Sequence, residues 1–172
     1  MEKFFEKVYQ VFTDNQNLFI SNDLEPVRTI DLFRGQTTNP ESFEYFETPA
    51  IFIAWRVDYE QNSRKQYQGV ANIDFHIVLD QPQDTGNIFT GFEEGLKKSF
   101  FHKYVHLLLD NMESEVTSKL MRVSDRPIDT GVNAYTIISY KCLYEDDISQ
   151  NKFTEVGDAN ALITHGNLKK EL

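Results

Sequence analysis

The chain has 172 residues, of which 40% are hydrophobic and 13% aromatic. A chain of this length buries roughly 70% of the surface its unfolded form exposes, so one core suffices, and the 14 Phe and 8 Tyr exclude disorder along its whole length. Lys and Arg total 17 against 27 Asp and Glu, a net charge of -10; proteins that hold DNA or RNA as a ligand carry a basic face, so specific nucleic-acid recognition is excluded as the main task.

Phe4, Phe5, Val8, Val11 and Phe12 recur at helical spacing and predict an amphipathic helix over residues 2–14. The stretch has no small-residue cleavage site, and no apolar run in the chain approaches the roughly 18 residues of a membrane span. The expectation is synthesis in the cytoplasm with no membrane partner. Residues 18–34 have no single period: a short apolar run, Leu18-Phe19-Ile20, gives way to loose alternation through Ile30 and Leu32. Residues 35–49 read as a long loop carrying Asn39-Pro40 and the aromatics Phe43, Tyr45 and Phe46. Long loops without structure of their own tend to be functional, and rings flanked by polar residues suit the centre of an interface. These three are therefore candidates for an intersubunit contact.

From Pro49 the pattern turns to strand, with Ile51, Ile53, Trp55, Val57 and Tyr59 on one face. After a polar turn over 60–68, Ala71, Ile73, Phe75, Ile77 and Leu79 alternate with Asn72, Asp74, His76 and Asp80, which predicts an antiparallel hairpin with one face on the core. A long helix is predicted over 88–112, with Thr90 and Glu93 in capping-box spacing and a narrow solvated stripe of Glu94, Lys98, His102, His106 and Asp110. Two further strands follow near 119–125 and 133–145, joined by a loop from Asp125 through Gly131. The fold expected is α+β: an antiparallel sheet of about four strands, with the N-terminal helix and the long central helix packed on one face. Residues 1–145 read as a single domain and 146–172 as a polar C-terminal arm. Phe153, Leu162 and Ile163 are spaced along that arm as apolar anchors for a neighbouring subunit.

Each candidate for chemistry has a simpler reading. His102 and His106 lie four apart, a spacing that can place two imidazoles on one metal, but no third ligand is evident and pairing along a helix face accounts for both. Asp74 and His76 point the same way from one strand, with Arg56 and Asp58 facing them across the hairpin. A carboxylate-held general base looks like this, and so does a polar sheet face that makes a subunit contact, which is the reading adopted. Cys142, the single cysteine, lies on an apolar strand face, where a small buried hydrophobe is expected rather than a nucleophile. The chain is read as no enzyme, with no catalytic residue, no metal and no cofactor.

One resemblance covers residues 1–146. The N-terminal helix, the loop with Asn39-Pro40-Glu41 and the segment Phe46-Glu47-Thr48-Pro49-Ala50-Ile51-Phe52-Ile53 resemble the tail-terminator, or tail-completion, proteins of tailed bacteriophages, of the Bacteroidetes-phage type. Ile73-Asp74-Phe75-His76-Ile77-Val78 and the closing Asp129, Tyr135, Ile138, Tyr140, Leu143 and Asp146 fit the same outline. The resemblance implies a non-catalytic virion protein at the tail or neck, assembled in the host cytoplasm. It implies a homo-oligomeric ring, a hexamer or a multiple of one, that contacts the tail tube and the neck or head-completion proteins. DNA passes through without specific binding, and an acidic wall that repels phosphate suits such a conduit. Two other classes stay open on the residues alone: a monomeric bacterial ligand-binding domain with its ligand under the 35–49 loop, and a metal-dependent hydrolase built on Asp74 and His76.

Overall fold

The computed structural model describes residues 1–37, 45–60, 67–80, 88, 90–129 and 133–146. Helix α1 spans Glu2–Asp14 and a short α2 spans Gln16–Ile20; strands β1, β2 and β3 span Thr29–Leu32, Ala50–Glu60 and Tyr67–Asp80. Helices α3 and α4 span Phe92–Ser99 and His102–Leu109, and strands β4 and β5 span Met121–Asp129 and Asn133–Asp146. The strands form one five-stranded sheet in the order β1-β2-β3-β5-β4. Every pairing is antiparallel except β1 with β2, which is parallel.

The predicted α1 forms as read. Its Phe4, Val8 and Phe12 are buried because apolar residues four apart share a helix face, and they lie over the apolar positions of the hairpin. Ile51 and Ile53 of β2, Ala71, Ile73, Phe75 and Ile77 of β3, and Ile138, Tyr140, Cys142 and Tyr144 of β5 make the floor of this main core. Phe19 from α2 and Phe101, Val105 and Leu109 from the α4 region complete it. Helices α1, α2 and α4 therefore pack on one sheet face, as expected for the N-terminal helix and the second half of the predicted central one.

Three details depart from expectation. First, the sheet has five strands and not four, since β1 adds a short parallel edge through Thr29↔Ala50 to Leu32↔Ile53. Second, the long helix is two helices of eight residues, broken at Phe100 and Phe101. The Ser99 hydroxyl donates to the Gly95 carbonyl, a back-bond that bends helices. The chain then tightens so that the Phe101 N–H reaches the Lys98 carbonyl, three residues back, at 3.0 Å. This turn delivers Phe101 into the core, stacked 4.9 Å from Phe19. The Thr90–Glu93 capping box does not form: Gly91 is the N-cap, with no side-chain cap bond. Third, Asp125, Arg126 and Pro127 lie within β4 instead of the loop before β5. Pro127 pairs with Thr136 on an edge strand, where a missing N–H need not interrupt a ladder. The register slips between Arg122 and Ser124, which leaves Val123 as a bulge.

Gly69 is required by close packing. A Cβ there would sit 2.8 Å from the Asp58 carbonyl oxygen and 2.8 Å from Val57 Cγ1. The first of these is backbone and cannot yield without moving β2. Gly69→Ala is therefore expected to destabilise the fold by about 1–3 kcal/mol, measured as a lower urea midpoint with an unchanged slope; an unaltered midpoint would show that β2 yields without strain.

Candidate functional site

The sheet face away from the helices carries four of the predicted residues, Arg56, Asp58, Asp74 and His76. The register sets Phe52 opposite His76, Ala54 opposite Asp74 and Arg56 opposite Asn72, so the four share a face but do not converge. The structure divides them between two environments.

At one end of this face a second, smaller core covers the sheet. Ala50, Phe52, Val78, Tyr135 and Ile137 are buried there, with Phe33, Phe46 and Ile128 packed against them. The turn after β1 places the cover. Gly35 takes φ 95°, a conformation that favours glycine. The buried Gln36 accepts from the Arg34 N–H and donates to the Leu32 carbonyl, each at 2.7 Å. Phe33 is thereby laid flat on the His76 imidazole, centroids 3.8 Å apart and planes within 11°. Phe46 meets Phe52 edge-on at 4.9 Å. Tyr45, next in sequence, is 90% exposed.

His76 is 7% exposed, and its Nδ1 is hydrogen-bonded to the Tyr135 phenol. Burial drives its pKa down to about 4; the Asp74 carboxylate opposes this and Arg126, on β4, adds to it. The ring is neutral at pH 7, capped by Phe33 and engaged through Nδ1. Asp74 accepts from the Ser139 hydroxyl at 2.5 Å, so it does not orient the imidazole as a catalytic carboxylate would. Burial also raises the Tyr135 phenol. A buried, stacked histidine engaged through Nδ1 suits a structural polar contact better than proton transfer to a substrate.

The other end of the face is open. Arg56 Nη2 and Asp58 Oδ2 form an exposed ion pair at 3.0 Å, and Asn72 donates to the same oxygen at 3.1 Å. Met121 and Leu143 are each 66% exposed. Phe43, Phe153, Leu162 and Ile163 lie outside the described residues.

His102 and His106 do not belong to a solvated stripe. They are half-buried on the side of α4 that faces β4 and β5. His106 Nδ1 is 2.7 Å from the Tyr140 hydroxyl, and His102 Nε2 is 3.9 Å from Asp125 Oδ2, which also binds Arg122. Burial lowers both imidazoles, and Arg122 lowers them further. The Ser99 backbone raises His102 but does not reach hydrogen-bonding geometry with its buried Nδ1. Among the described residues no three of His, Cys, Asp and Glu converge as a metal site. Cys142 is buried, which pushes its thiol up to about 11; it stays protonated and packs as a hydrophobe.

Sequence reasoning missed Phe33, Tyr135 and Arg126 around His76. A signal was present: Ala50-Ile51-Phe52-Ile53 and Phe75-His76-Ile77-Val78-Leu79 are nearly continuous apolar runs, the mark of strands buried on both faces. No helix of the described residues is long and apolar enough to cross a membrane.

No family model matches the chain, and no curated protein matches it. Among solved structures it is similar to a chain from the virion of a native gene transfer agent particle, with a TM-score of 0.46 and 11% identity over 81% of this chain and 92% of that one.

Proposed function

We propose that the chain is a non-catalytic structural protein of a tailed-phage virion, forming a homo-oligomeric ring at the junction of tail and neck. The observation that carries this is the placement of the segments that resemble tail-terminator proteins. Within that outline, residues 50–53, 73–78 and 135–146 are far apart in sequence, yet they fall on β2, β3 and β5, which are consecutive neighbours in the sheet. The strand segments of the resemblance thus share one contiguous piece of the fold. The engaged state of His76 weighs against the hydrolase reading. The net charge of -10 suits a channel wall along which duplex DNA slides.

In this reading the 35–49 loop and the arm over 146–172 make the contacts between subunits, and the tail tube and neck proteins bind the ring's two sides. Tyr45 and Phe46 separate the contributions of assembly and fold. Tyr45→Ser is expected to leave the melting temperature unchanged while weakening assembly, whereas Phe46→Ser loses its packing on Phe52 and is expected to cost about 2 kcal/mol of stability. The test is negative-stain imaging with native mass measurement of the purified chain. A ring, hexameric or a multiple, with a central channel is expected; a monomer at every concentration overturns the proposal.

A further inference from the structure

Strand β2 is eleven residues long, but β1 covers only Ala50 to Ile53 of it. Beyond Ile53, no described strand pairs with residues 54–58 on that side. The direction of the backbone groups there follows from the last bond to be made: the Ile53 carbonyl accepts from the Phe33 N–H at 2.9 Å. Backbone groups alternate sides along a strand, residue by residue, so Trp55 and Val57 direct their N–H and C=O groups outward as Ile53 does. Their side chains lie on the helix side, with Trp55 40% exposed and Val57 half-buried against the main core. Arg56 and Asp58 project from the opposite face, with side chains 75% and 57% exposed.

We propose that this edge pairs antiparallel with the same edge of a second copy, about a twofold axis through Val57. The sequence around Val57 is self-complementary in charge. With Val57 opposite Val57 of the second copy, Arg56 of each copy falls opposite Asp58 of the other. Backbone parity agrees with this register. Val57 then occupies a hydrogen-bonded pair, exchanging N–H and C=O bonds with its counterpart. Arg56 and Asp58 occupy the flanking non-hydrogen-bonded pairs, where side chains approach more closely. Trp55 of each copy lies opposite Tyr59 of the other on the helix side, an aromatic cross-strand pair. A shift by one residue either way sets like charges opposite each other or turns the outward groups of one copy away from the other. The contact is isologous and closes on itself, so it is separate from the head-to-tail contact of a ring and does not depend on the function proposed above.

The test is charge reversal with rescue on the full chain. Sedimentation of the wild type is expected to show a concentration-dependent dimer step. Arg56→Asp places carboxylates opposite each other, and Asp58→Arg places guanidinium groups opposite each other. Each is expected to weaken the step about tenfold, through two unfavourable cross-strand pairs per dimer. The double variant R56D/D58R restores opposite charges and is expected to restore the wild-type dissociation constant, with circular dichroism unchanged throughout. A wild type lacking any dimer step, or one indifferent to both single reversals, overturns the proposal. So does hydrogen-exchange protection of the Trp55 and Val57 amides in a proven monomer, which would assign this edge to the chain's own C-terminal segment.

Discussion

Replacing Phe75 by alanine is expected to cost about 4 kcal/mol, out of a total stability of about 5–15 kcal/mol for a domain of this kind. Phe75 sits on β3, the middle strand of the sheet, and is fully buried. Ile53 lies opposite it on β2 and Ile138 on β5. Its ring meets Tyr140 edge-on at 5.6 Å and Phe4 of α1 at 6.5 Å. Removing it leaves a cavity bounded by two neighbouring strands and a helix, whose backbones are held in register and cannot collapse inward. Equilibrium urea unfolding measures the loss. Leu143→Ala, at a site 66% exposed, serves as the control and should change stability by less than about 0.5 kcal/mol. A Phe75→Ala loss as small as the control would mean that the helix layer does not rest on the sheet as described.

The second large effect is acid sensitivity centred on His76. Its folded pKa, about 4, lies below the ordinary imidazole value of 6.5, so between those values the unfolded chain binds a proton that the folded chain refuses. The neutral ring's contribution to stability is complete above pH 6.5 and is lost as pH falls through the window down to about 4. By pH 5 the loss is about 2 kcal/mol at full burial and somewhat less once solvent screening is allowed for. The groups facing the ring define the expectation: Asp74 favours protonation, Arg126 opposes it, and Tyr135 and Phe33 contribute a bond and a cover without charge at these pH values. His76→Gln, which keeps a polar group but does not titrate, is expected to flatten the pH dependence between 7.5 and 5, a range that lies above most carboxylate transitions. Parallel wild-type and variant curves across that range would place the acid sensitivity elsewhere.

The elements legible in the sequence were those with one unobstructed period. The stripe of Phe4, Val8 and Phe12 predicted α1, and the alternation from Ala71 to Leu79 predicted β3. β1 was not legible, because a four-residue strand whose residues are all half-buried shows no alternation. The break between α3 and α4 was hidden because Phe100 and Phe101 fit a continuous apolar helix; the turn there brings Phe101 onto Phe19, a contact distant in sequence. Pro127 read as a loop signal, since only the topology reveals that β4 is an edge. His76 was legible as a candidate, but its role was not. Alternation marks its face as polar, and the cover that buries it comes from Phe33, in a segment with no period of its own.

The two long borders of the sheet differ in a way that limits how far copies can join. β4 has Val123 bulged out of register and Pro127 within its length, two features that keep edges from recruiting further strands. Among the described residues the opposite border has one receptive stretch, at residues 54–58. A sheet with a single receptive border can be extended once and then presents only blocked borders, so contact through the strands terminates where a sheet receptive on both sides would grow into a fibre. Concentrated solutions of this acidic protein should therefore remain free of thioflavin-binding fibrils, even though it carries long, apolar, aromatic-rich strands.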